Sequence, residues 1–291
     1  MRTTAKTLQE IMQRRGLARI MAAHNPLSAM LAEEAGFDGI WASGFELSAS
    51  LGLPDVSLVS MNEHLQTVRA IAQRTRLPIV ADVDTGYGNA INVIHTVEQY
   101  EAAGAAAVVI EDKAFPKVTS LVAGGRQELV RIEEFQGKIE AATYARIDPG
   151  FLIIARDEAL IAGLGEALAL ERAEKYAEAG ADMILIHSKQ KTPDEIESFV
   201  DAWRGDVPIV IVPTAYPQMT EARALQLKKV RMLIYGNHAL RAAVTAMQQV
   251  FAQIIADGGI QNVDRELVPV AEIFRLQGMD EVKSNEEKFL R

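Results

Sequence analysis

Two stretches of the chain place acidic side chains beside glycines and small polar residues, in patterns suited to chemistry. They are VADVDTGYGN at residues 80–89 and VVIEDKAFPKVTS at residues 108–120. Each begins as a short apolar run of the kind that forms a buried strand and then turns abruptly polar, which is typical of a strand leading into a functional loop. Asp82 and Asp84 are two residues apart, so both carboxylates point to the same side while the chain is extended.

These acidic side chains predict a metal ion. Glu111 ends the second apolar run, and Asp112 follows it directly. Carboxylates held close together raise one another's pKa and cost stability. An ion with oxygen ligands, such as Mg2+, removes that repulsion and usually keeps several of its waters. We therefore expect residues 80–89 and 108–120 to form a metal-centred active site.

The composition sets limits on the class of protein. The chain has 291 residues, 49% of them hydrophobic, which is enough for a sizeable core. A formal net charge of -9 without a basic run argues against nucleic acid as a partner. The lack of cysteine excludes disulfides and thiolate nucleophiles and fits a reducing compartment. No apolar stretch approaches the roughly 18 residues of a membrane span, and we expect a soluble, cytoplasmic protein without a membrane partner.

Eight short apolar runs alternate with segments of helical periodicity. The runs are residues 19–24, 39–43, 79–84, 107–111, 151–156, 183–187, 209–213 and 232–236, and helix candidates include residues 27–36, 61–75, 91–104, 168–180 and 192–203. Glycine closes several of these helices, in EEAGFDG, YEAAGAA and AEAGADM. This alternation predicts a parallel sheet closed into a (β/α)8 TIM barrel, as one domain over residues 1–291. The alternative is an open doubly wound sheet, but its GxGxxG fingerprint after the first strand is missing.

In such a barrel the reacting groups lie at the carboxyl ends of the strands. Any one polar residue there can be an ordinary strand-end cap, but together they indicate an active site. The predicted strand ends carry His24, Asn25, Trp41, Ser43, Gly44, Asp82, Asp84, Glu111, Arg156, Glu158, His187, Thr214, Asn237 and His238.

The tail from residue 262 to residue 291 has no further strand and is predicted to be a C-terminal helical extension. Its segment VPVAEIFRLQG has the pattern of an amphipathic helix with no place in a finished barrel. We expect its apolar face to pack on a neighbouring subunit. The alternative is a helix that folds back on its own barrel.

Several motifs in order resemble one known superfamily. WASGFELS, DVDTGYGN, EDKAFPK followed by TS, and IAR, supported by MAAHNPL, HSKQKTPDEI and PTAYPQ, are similar to the phosphoenolpyruvate mutase and isocitrate lyase superfamily over nearly the whole chain. The resemblance is strongest to its phosphonopyruvate hydrolase branch. The carbon-carbon lyases of the superfamily carry a catalytic cysteine in a KKCGH or KRCGH segment, where this chain has EDKAFPK, so lyase chemistry is excluded.

The resemblance implies Mg2+-dependent hydrolysis of the carbon-phosphorus bond of phosphonopyruvate to pyruvate and phosphate, a step of phosphonate catabolism, with Mn2+ or Co2+ as alternative ions. It also implies a homotetramer, a dimer of dimers in which the C-terminal helix is exchanged between subunits. The nearest rival is the mutase, which moves the phosphoryl group from carbon to oxygen. Mutases resemble this chain but show KxNS where it has KVTS. A non-catalytic barrel that binds a metal and a metabolite is the rival from another class.

The resemblance also implies roles for single residues. Asp82 would bind the metal directly, and the phosphonate would be surrounded by Arg156, Thr119, Ser120 and His187. The loop of residues 112–126, which carries Lys117, would close as a lid. Further metal contacts through water would come from Asp84, Glu111 and Asp55, and contacts to the substrate carboxylate from Ser43, Gly44 and Phe45, with Trp41 as a wall. A departure is Lys189 in HSKQK, where an arginine is expected, because lysine offers a point charge and not a planar fork.

Overall fold

The computed structural model describes residues 4–263 and 267–291, with side chains described from residue 8 onward. The chain divides into two compact units, Met1–His238 and Ala239–Arg291. The first unit contains eight parallel strands in chain order that close into a barrel. The predicted (β/α)8 fold is therefore confirmed. The division into one domain with an extension from residue 262 stays a prediction.

Each predicted apolar run overlaps a strand, and the bounds differ by at most two residues. The strands are β1 (Ala18–Ala23), β2 (Gly39–Ala42), β3 (Ile79–Asp82), β4 (Ala107–Glu111), β5 (Leu152–Asp157), β6 (Met183–Ile186), β7 (Ile209–Ile211) and β8 (Val230–Tyr235). β3, β4, β6 and β7 are buried along their whole length, because strands of a parallel barrel are covered on both faces. Pairing of β1 with β8, in the register of Ala18 with Met232, closes the barrel. All eight carboxyl ends thus meet at one rim.

Helices connect the strands, and two short ones lie directly after β2 and β5. The helices are α1 (Thr4–Arg15), α2 (Pro26–Glu34), α3 (Gly44–Ser50), α4 (Met61–Arg74), α5 (Ala90–Ala102), α6 (Ile132–Ala145), α7 (Ala159–Ala162), α8 (Glu166–Glu178), α9 (Asp194–Ala202), α10 (Glu221–Gln226), α11 (His238–Asp257), α12 (Val270–Gln277) and α13 (Met279–Phe289). The predicted glycine ends are confirmed, since Gly36, Gly104 and Gly180 have φ of 84°, 93° and 101°. None of the described helices is long and apolar enough to cross a bilayer.

The second unit differs from the predicted tail in one respect. The helix predicted within VPVAEIFRLQG is present as α12, and a second helix that the sequence analysis did not predict, α13, follows it after Gly278. Gly278 has a φ of 76°, a left-handed conformation that ends α12 and that side chains other than glycine rarely adopt. The residues after it, Asp280 and Glu281, place negative charge in the first turn of α13, which favours a new helix start.

A buried carboxylate fixes the ends of β4 and β5 to α8. Asp112 is fully buried, and its Oδ2 accepts hydrogen bonds from Arg172 Nη1 at 2.9 Å and from the Tyr176 hydroxyl at 2.7 Å. Its Oδ1 accepts the backbone N–H of Glu158 at 3.0 Å. Burial raises the pKa of Asp112 to about 6, and the Arg172 guanidinium opposes the rise. The residue after Glu111 is therefore an anchor for the strand ends that face the rim.

The chain after Asp112 leaves the barrel and returns to the same place. The N–H of Ala114 donates to the Glu128 carbonyl at 2.8 Å, and the N–H of Val130 donates to the Asp112 carbonyl at 2.9 Å. An isolated antiparallel bridge joins Lys113 to Leu129. These bonds form a neck, and residues 115–127 form a loop beyond it, which we call the rim loop.

Replacing Arg172 tests the anchor. Arg172→Ala removes the cation that pairs with buried Asp112, and a buried charge without its partner is strongly destabilising, so we expect a loss of about 3 kcal/mol in the free energy of unfolding. The measurement is denaturant unfolding followed by circular dichroism. Lys175→Ala on the same helix is the matched control, because its ion pair with Glu178 is exposed; it should stay close to wild type. Equal stability of the two variants would show that Asp112 does not need Arg172.

Candidate active site

A cavity of about 220 Å³ lies at the carboxyl ends of the strands in the first unit. Residues from β2, β3 and β5 and from the rim loop line it together. The lining consists of Trp41, Ser43, Phe45, Asp55, Asp82, Lys113, Lys117, Thr119, Ser120, Leu121, Arg156, His187, Val212, Thr214, Gly236 and Asn237. Most of the residues proposed from the sequence are thus in one place. Gly44, Asp84 and Glu111 lie behind the wall, and Lys189 lies elsewhere.

A cluster of carboxylates surrounds one lysine at the end of β3. Lys117 Nζ lies 2.5 Å from Asp84 Oδ1 and 3.0 Å from Asp55 Oδ1, and the lysine side chain is 4% exposed. Burial alone would lower the pKa of Lys117, but the carboxylates around it, Asp84 first, hold that pKa well above its ordinary value. Lys117 is therefore a charged ammonium that stabilises the cluster.

The turn that carries Asp84 is tightly constrained. Asp84 has a φ of 51°, and its N–H donates to Asp82 Oδ1 at 3.3 Å. Burial raises the pKa of Asp84 to about 7, Lys117 opposes the rise, and the carboxylates of Asp82 and Glu111 add to it. A side chain at Gly44 would place its Cβ 3.2 Å from Asp84 Oδ1. A side chain there would require the Asp84 carboxylate to shift by a few tenths of an ångström, so glycine favours the close approach of α3 to the carboxylates.

The carboxylate cluster fits a hard divalent cation. Its donors are all oxygens, which Mg2+ prefers, and Glu111 Oε1 is buried without a hydrogen-bond partner among the described residues. In the part of the chain that the structure describes, no three acidic or histidine side chains converge tightly enough to be a direct ligand set. This agrees with an ion held by one or two carboxylates while the others act through water, as Mg2+ is usually bound.

A second cluster, of cationic and neutral donors, lies where β5 and β6 end. Arg156 Nη2 donates to Ser120 Oγ at 2.8 Å and lies 3.2 Å from His187 Nδ1. Lys113 Nζ donates to Ser120 Oγ at 2.6 Å, and the Ser120 hydroxyl donates to Glu158 Oε2 at 2.7 Å. Because a hydroxyl has one donor and two acceptor positions, the hydrogen-bonding capacity of Ser120 is filled.

His187 is a neutral imidazole at the cavity wall. Burial lowers its pKa below the ordinary value, although the Glu158 carboxylate acts in the opposite direction. Its Nδ1 lies 3.3 Å from Glu158 Oε1, and its Nε2 is buried without a partner among the described residues. Since a buried ring nitrogen without a partner costs stability, Nε2 is placed to bond a ligand.

The opposite end of the predicted substrate site is formed by β2 and α3. Trp41 is 4% exposed, whereas Phe45 is 39% exposed. Ser43 caps α3, because its Oγ accepts the N–H of Glu46 at 3.1 Å. Thr119 reaches the cavity from the rim loop, where Gln127 Nε2 donates to its carbonyl at 3.1 Å.

Two expectations need correction. Lys189 does not line the cavity, and its Nζ donates to the Ile161 carbonyl at 2.6 Å, where it caps the end of α7. The predicted lid of residues 112–126 begins too early, since Asp112 and Lys113 are buried and held by the neck. The segment that can move as a unit is the rim loop, residues 115–127.

Several residues of the cavity wall were assigned no chemical role from the sequence. Thr214 and Asn237 were recognised only as strand-end polar residues, and Leu121 and Val212 carry no chemical signal. Lys113 is the main omission. Its position directly after two acids was visible, but nothing in the sequence indicates that this lysine is 1% exposed.

Comparisons with known proteins agree with this geometry. Residues 8–255 match the model of the phosphoenolpyruvate phosphomutase family. The chain is 62% identical over 271 residues to phosphonopyruvate hydrolase of Variovorax sp. strain Pal2, covering 93% of each chain. It is 44% identical over 290 residues to phosphoenolpyruvate phosphomutase of Tetrahymena pyriformis, covering 99% of this chain and 96% of the relative.

A solved structure gives the same result. A crystal structure of phosphonopyruvate hydrolase in complex with oxalate and Mg2+ superposes with a TM-score of 0.94 at 57% identity, covering 99% of this chain and 100% of the other. Sequence and fold therefore match over nearly the full length. The chain belongs to the phosphoenolpyruvate phosphomutase family.

Proposed function

We propose that this protein hydrolyses the carbon-phosphorus bond of phosphonopyruvate and releases pyruvate and inorganic phosphate, with Mg2+ as its cofactor. The observation that carries the proposal is one cavity lined both by the carboxylates that fit a divalent cation and by Arg156, His187 and Thr119. A dipolar arrangement of this kind suits a substrate with a keto acid at one end and a phosphonate at the other. The 62% identity to a phosphonopyruvate hydrolase supports it.

The phosphonate is bound at the cationic end. Arg156 presents a planar guanidinium that is suited to phosphonate oxygens, and its orientation is fixed through Ser120. His187 lines the same end of the cavity. The substrate carboxylate is bound at the start of α3 by Ser43, Gly44 and Phe45, against Trp41. Lys189 is not part of this binding site.

Asp82 would hold the metal directly, and Asp84, Glu111 and Asp55 would hold it through water. A bound Mg2+ would stabilise the negative charge that the leaving pyruvate carries. Lys117 adds positive charge to the same region and belongs to the rim loop, so closure of the loop completes the site.

The reaction breaks the carbon-phosphorus bond and an O–H bond of water, and it forms an oxygen-phosphorus bond and a C–H bond. The oxygen of a water molecule bonds to phosphorus while the electrons of the carbon-phosphorus bond remain on the methylene carbon of pyruvate, which then takes up a proton. Neutral His187 can accept a proton from the water through its unprotonated ring nitrogen. Thr119 orients that water with its hydroxyl, and its short side chain leaves room for it.

The alternative is phosphonopyruvate and phosphoenolpyruvate interconversion, as in a mutase. A mutase must hold the phosphoryl group while the enolate turns its oxygen toward phosphorus, and water must be kept away. An asparagine at the position of Thr119 has two donors and one acceptor and fills more space, which suits that task. The hydrolase is the better assignment because the cavity has threonine there.

The assembly we propose is a homotetramer, a dimer of dimers that exchanges C-terminal helices. The second unit exposes large apolar side chains, including Phe251 at 61%, Ile255 at 84% and Phe274 at 51%. Such exposure is unusual for a monomer and typical of a surface covered by a partner. The family resemblance of the tail supports a second copy of this chain as the partner.

The metal requirement is tested first. Wild-type protein with Mg2+ and phosphonopyruvate should release pyruvate and phosphate in equal amounts, and excess chelator should stop the release. Asp82→Ala should abolish turnover and weaken Mn2+ binding by about 100-fold, measured by electron paramagnetic resonance. Asp280→Ala, which removes a carboxylate that is 95% exposed, is the control. Turnover that survives in chelator would exclude the metal mechanism.

Thr119 separates the hydrolase from the mutase. Thr119→Asn should slow hydrolysis by about 100-fold because it takes the space and the hydroxyl that orient the water. Phosphorus NMR of the reaction distinguishes inorganic phosphate from phosphoenolpyruvate, and Thr67→Asn on α4, a half-buried position that does not line the cavity, is the control. Phosphoenolpyruvate as the main product of the wild type would assign the mutase. Unchanged hydrolysis by Thr119→Asn would remove only the role of Thr119.

The oligomeric state has a direct test. Light scattering at micromolar concentration should give a mass four times that of the 31.8 kDa chain. Phe274→Asp places a charge in the exposed apolar surface of α12 and should shift the protein toward smaller species, since a buried unpaired charge is costly. Lys283→Asp on α13, an exposed polar position, is the control. A wild-type monomer would contradict the proposed assembly.

A further inference from the structure

Glu158 has no part in the reaction described above, yet its side chain contacts four residues that line the cavity. It follows β5 and is fully buried, and it does not line the cavity. Its side-chain partners do line it: they are Lys113, Ser120, Arg156 and His187. The carboxylate therefore lies directly behind the groups proposed to bind the phosphonate.

The two oxygens of Glu158 serve different parts of the molecule. Oε1 accepts Arg156 Nε at 2.5 Å and lies 3.3 Å from His187 Nδ1, so it bonds residues of the barrel strands. Oε2 accepts the Ser120 hydroxyl at 2.7 Å and lies 3.2 Å from Lys113 Nζ, so it bonds residues at and beyond the neck of the rim loop. One carboxylate thus joins the loop to the barrel.

The position of Glu158 does not depend on the rim loop. Its backbone N–H donates to Asp112 Oδ1 at 3.0 Å, and Asp112 is in turn held by Arg172 and Tyr176 of α8. This anchor lies on the barrel side of the neck. Glu158 is therefore held in place by the barrel and can bind the rim loop from a fixed position.

The charge of Glu158 matters as much as its shape. Arg156 and Lys113 are both cations, and together they hold the pKa of Glu158 well below its ordinary value although burial acts to raise it. Without this carboxylate two buried cations would face each other across Ser120. Cations placed in this way repel each other strongly because little water screens them.

We propose that Glu158 is the positioning residue that holds the rim loop closed and aims Arg156 and His187 at the phosphonate. The hydroxyl of Ser120 is the connection: it donates to Glu158 and accepts from Arg156 and Lys113, so it links the loop to the barrel and is not a donor to the substrate. The role in catalysis rests on the proposed function. The role in holding the loop does not.

Trypsin cleavage measures how often the rim loop opens, and the measurement does not require the enzyme to turn over substrate. Lys117 is buried and Arg126 has an 80% exposed side chain, so cleavage after Lys117 requires the loop to open and cleavage after Arg126 does not. Glu158→Gln keeps the shape but presents an amide N–H2 to donors on one side. We expect it to speed cleavage after Lys117 by about tenfold, with a smaller change after Arg126, as resolved by mass spectrometry of the fragments. Glu197→Gln, which removes the charge of an ion pair with Arg223 outside the cavity, is the matched control.

A double-mutant cycle tests the connection through Ser120. Ser120→Ala should also speed cleavage after Lys117, and adding Ser120→Ala to Glu158→Gln should produce no further increase, because both changes break the same link. Effects that simply multiply, or a Glu158→Gln protein with unchanged cleavage, would overturn the proposal. If Glu158→Gln fails to give the wild-type circular dichroism spectrum, Ser120→Ala alone decides, and its wild-type cleavage rate would overturn the proposal.

Kinetic measurements distinguish a positioning role of Glu158 in catalysis from a role in stability alone. With phosphonopyruvate and Mg2+, Glu158→Gln should lower kcat by about 100-fold while Mn2+ binding stays at the wild-type value, since none of the metal carboxylates contacts Glu158 among the described residues. Glu158→Asp, which keeps the charge, should recover part of kcat. An equal loss in both variants would overturn the role of the charge. A wild type that releases no phosphate would overturn the proposed function and leave the trypsin result to decide the loop-holding role by itself.

Discussion

Buried negative charge is the constraint on which the rest of this molecule depends. The carboxyl ends of β3 and β4 carry Asp82 and Glu111, Asp84 and Asp112 lie beside them, and Glu158 follows β5; almost all are excluded from water. Such groups remain charged only if cations or donors meet each of them. The chain meets the demand with buried side chains that come from far away in sequence: Lys117 from the rim loop for Asp84, and Arg172 from α8 for Asp112. The loop is thus ordered by the same charges that would hold the metal.

The barrel strands and the rim loop are held in place by different interactions. Strands that pair on both sides are rigid, so Asp82, Arg156 and His187 keep their mutual positions. Among the described residues, the rim loop is held at its neck and by polar contacts of Lys117, Val118 and Ser120, so opening it requires these bonds to break. Substrate entry and water exclusion can then be controlled by breaking a few ionic bonds, without disturbing the strand ends that carry the reacting groups.

Sequence reasoning could find what depends on local pattern. The eight strands followed from short apolar runs, and the nearness of Asp82 and Asp84 followed from their spacing along one extended segment. Gly278 carried a local signal for two helices that was overlooked. The burial of Lys113 and Lys117 could not be predicted, because lysine is ordinarily exposed and only the folded loop places each beside a carboxylate. Arg172 meets Asp112 across 60 positions of sequence. Lys189 was placed by family resemblance, and in the structure the nearby Ile161 carbonyl takes its ammonium instead.

The relatives of this chain include a hydrolase and a mutase, and the proposed site suggests how one cavity can serve both reactions. The carboxylate cluster and the bound keto acid serve any reaction that leaves negative charge on a pyruvate-like fragment, so they need not change. What differs is the fate of the group that departs from that fragment, and this is decided where the rim loop meets the cavity. Thr119 is at that point, next to Ser120, whose hydroxyl is fully bonded to the barrel side. A loop held firmly by Ser120 and Glu158 can exchange the residue before Ser120 without losing its closed form. The proposed link through Ser120 and Glu158 would therefore leave the adjacent position free to determine whether water or an enolate oxygen reaches phosphorus.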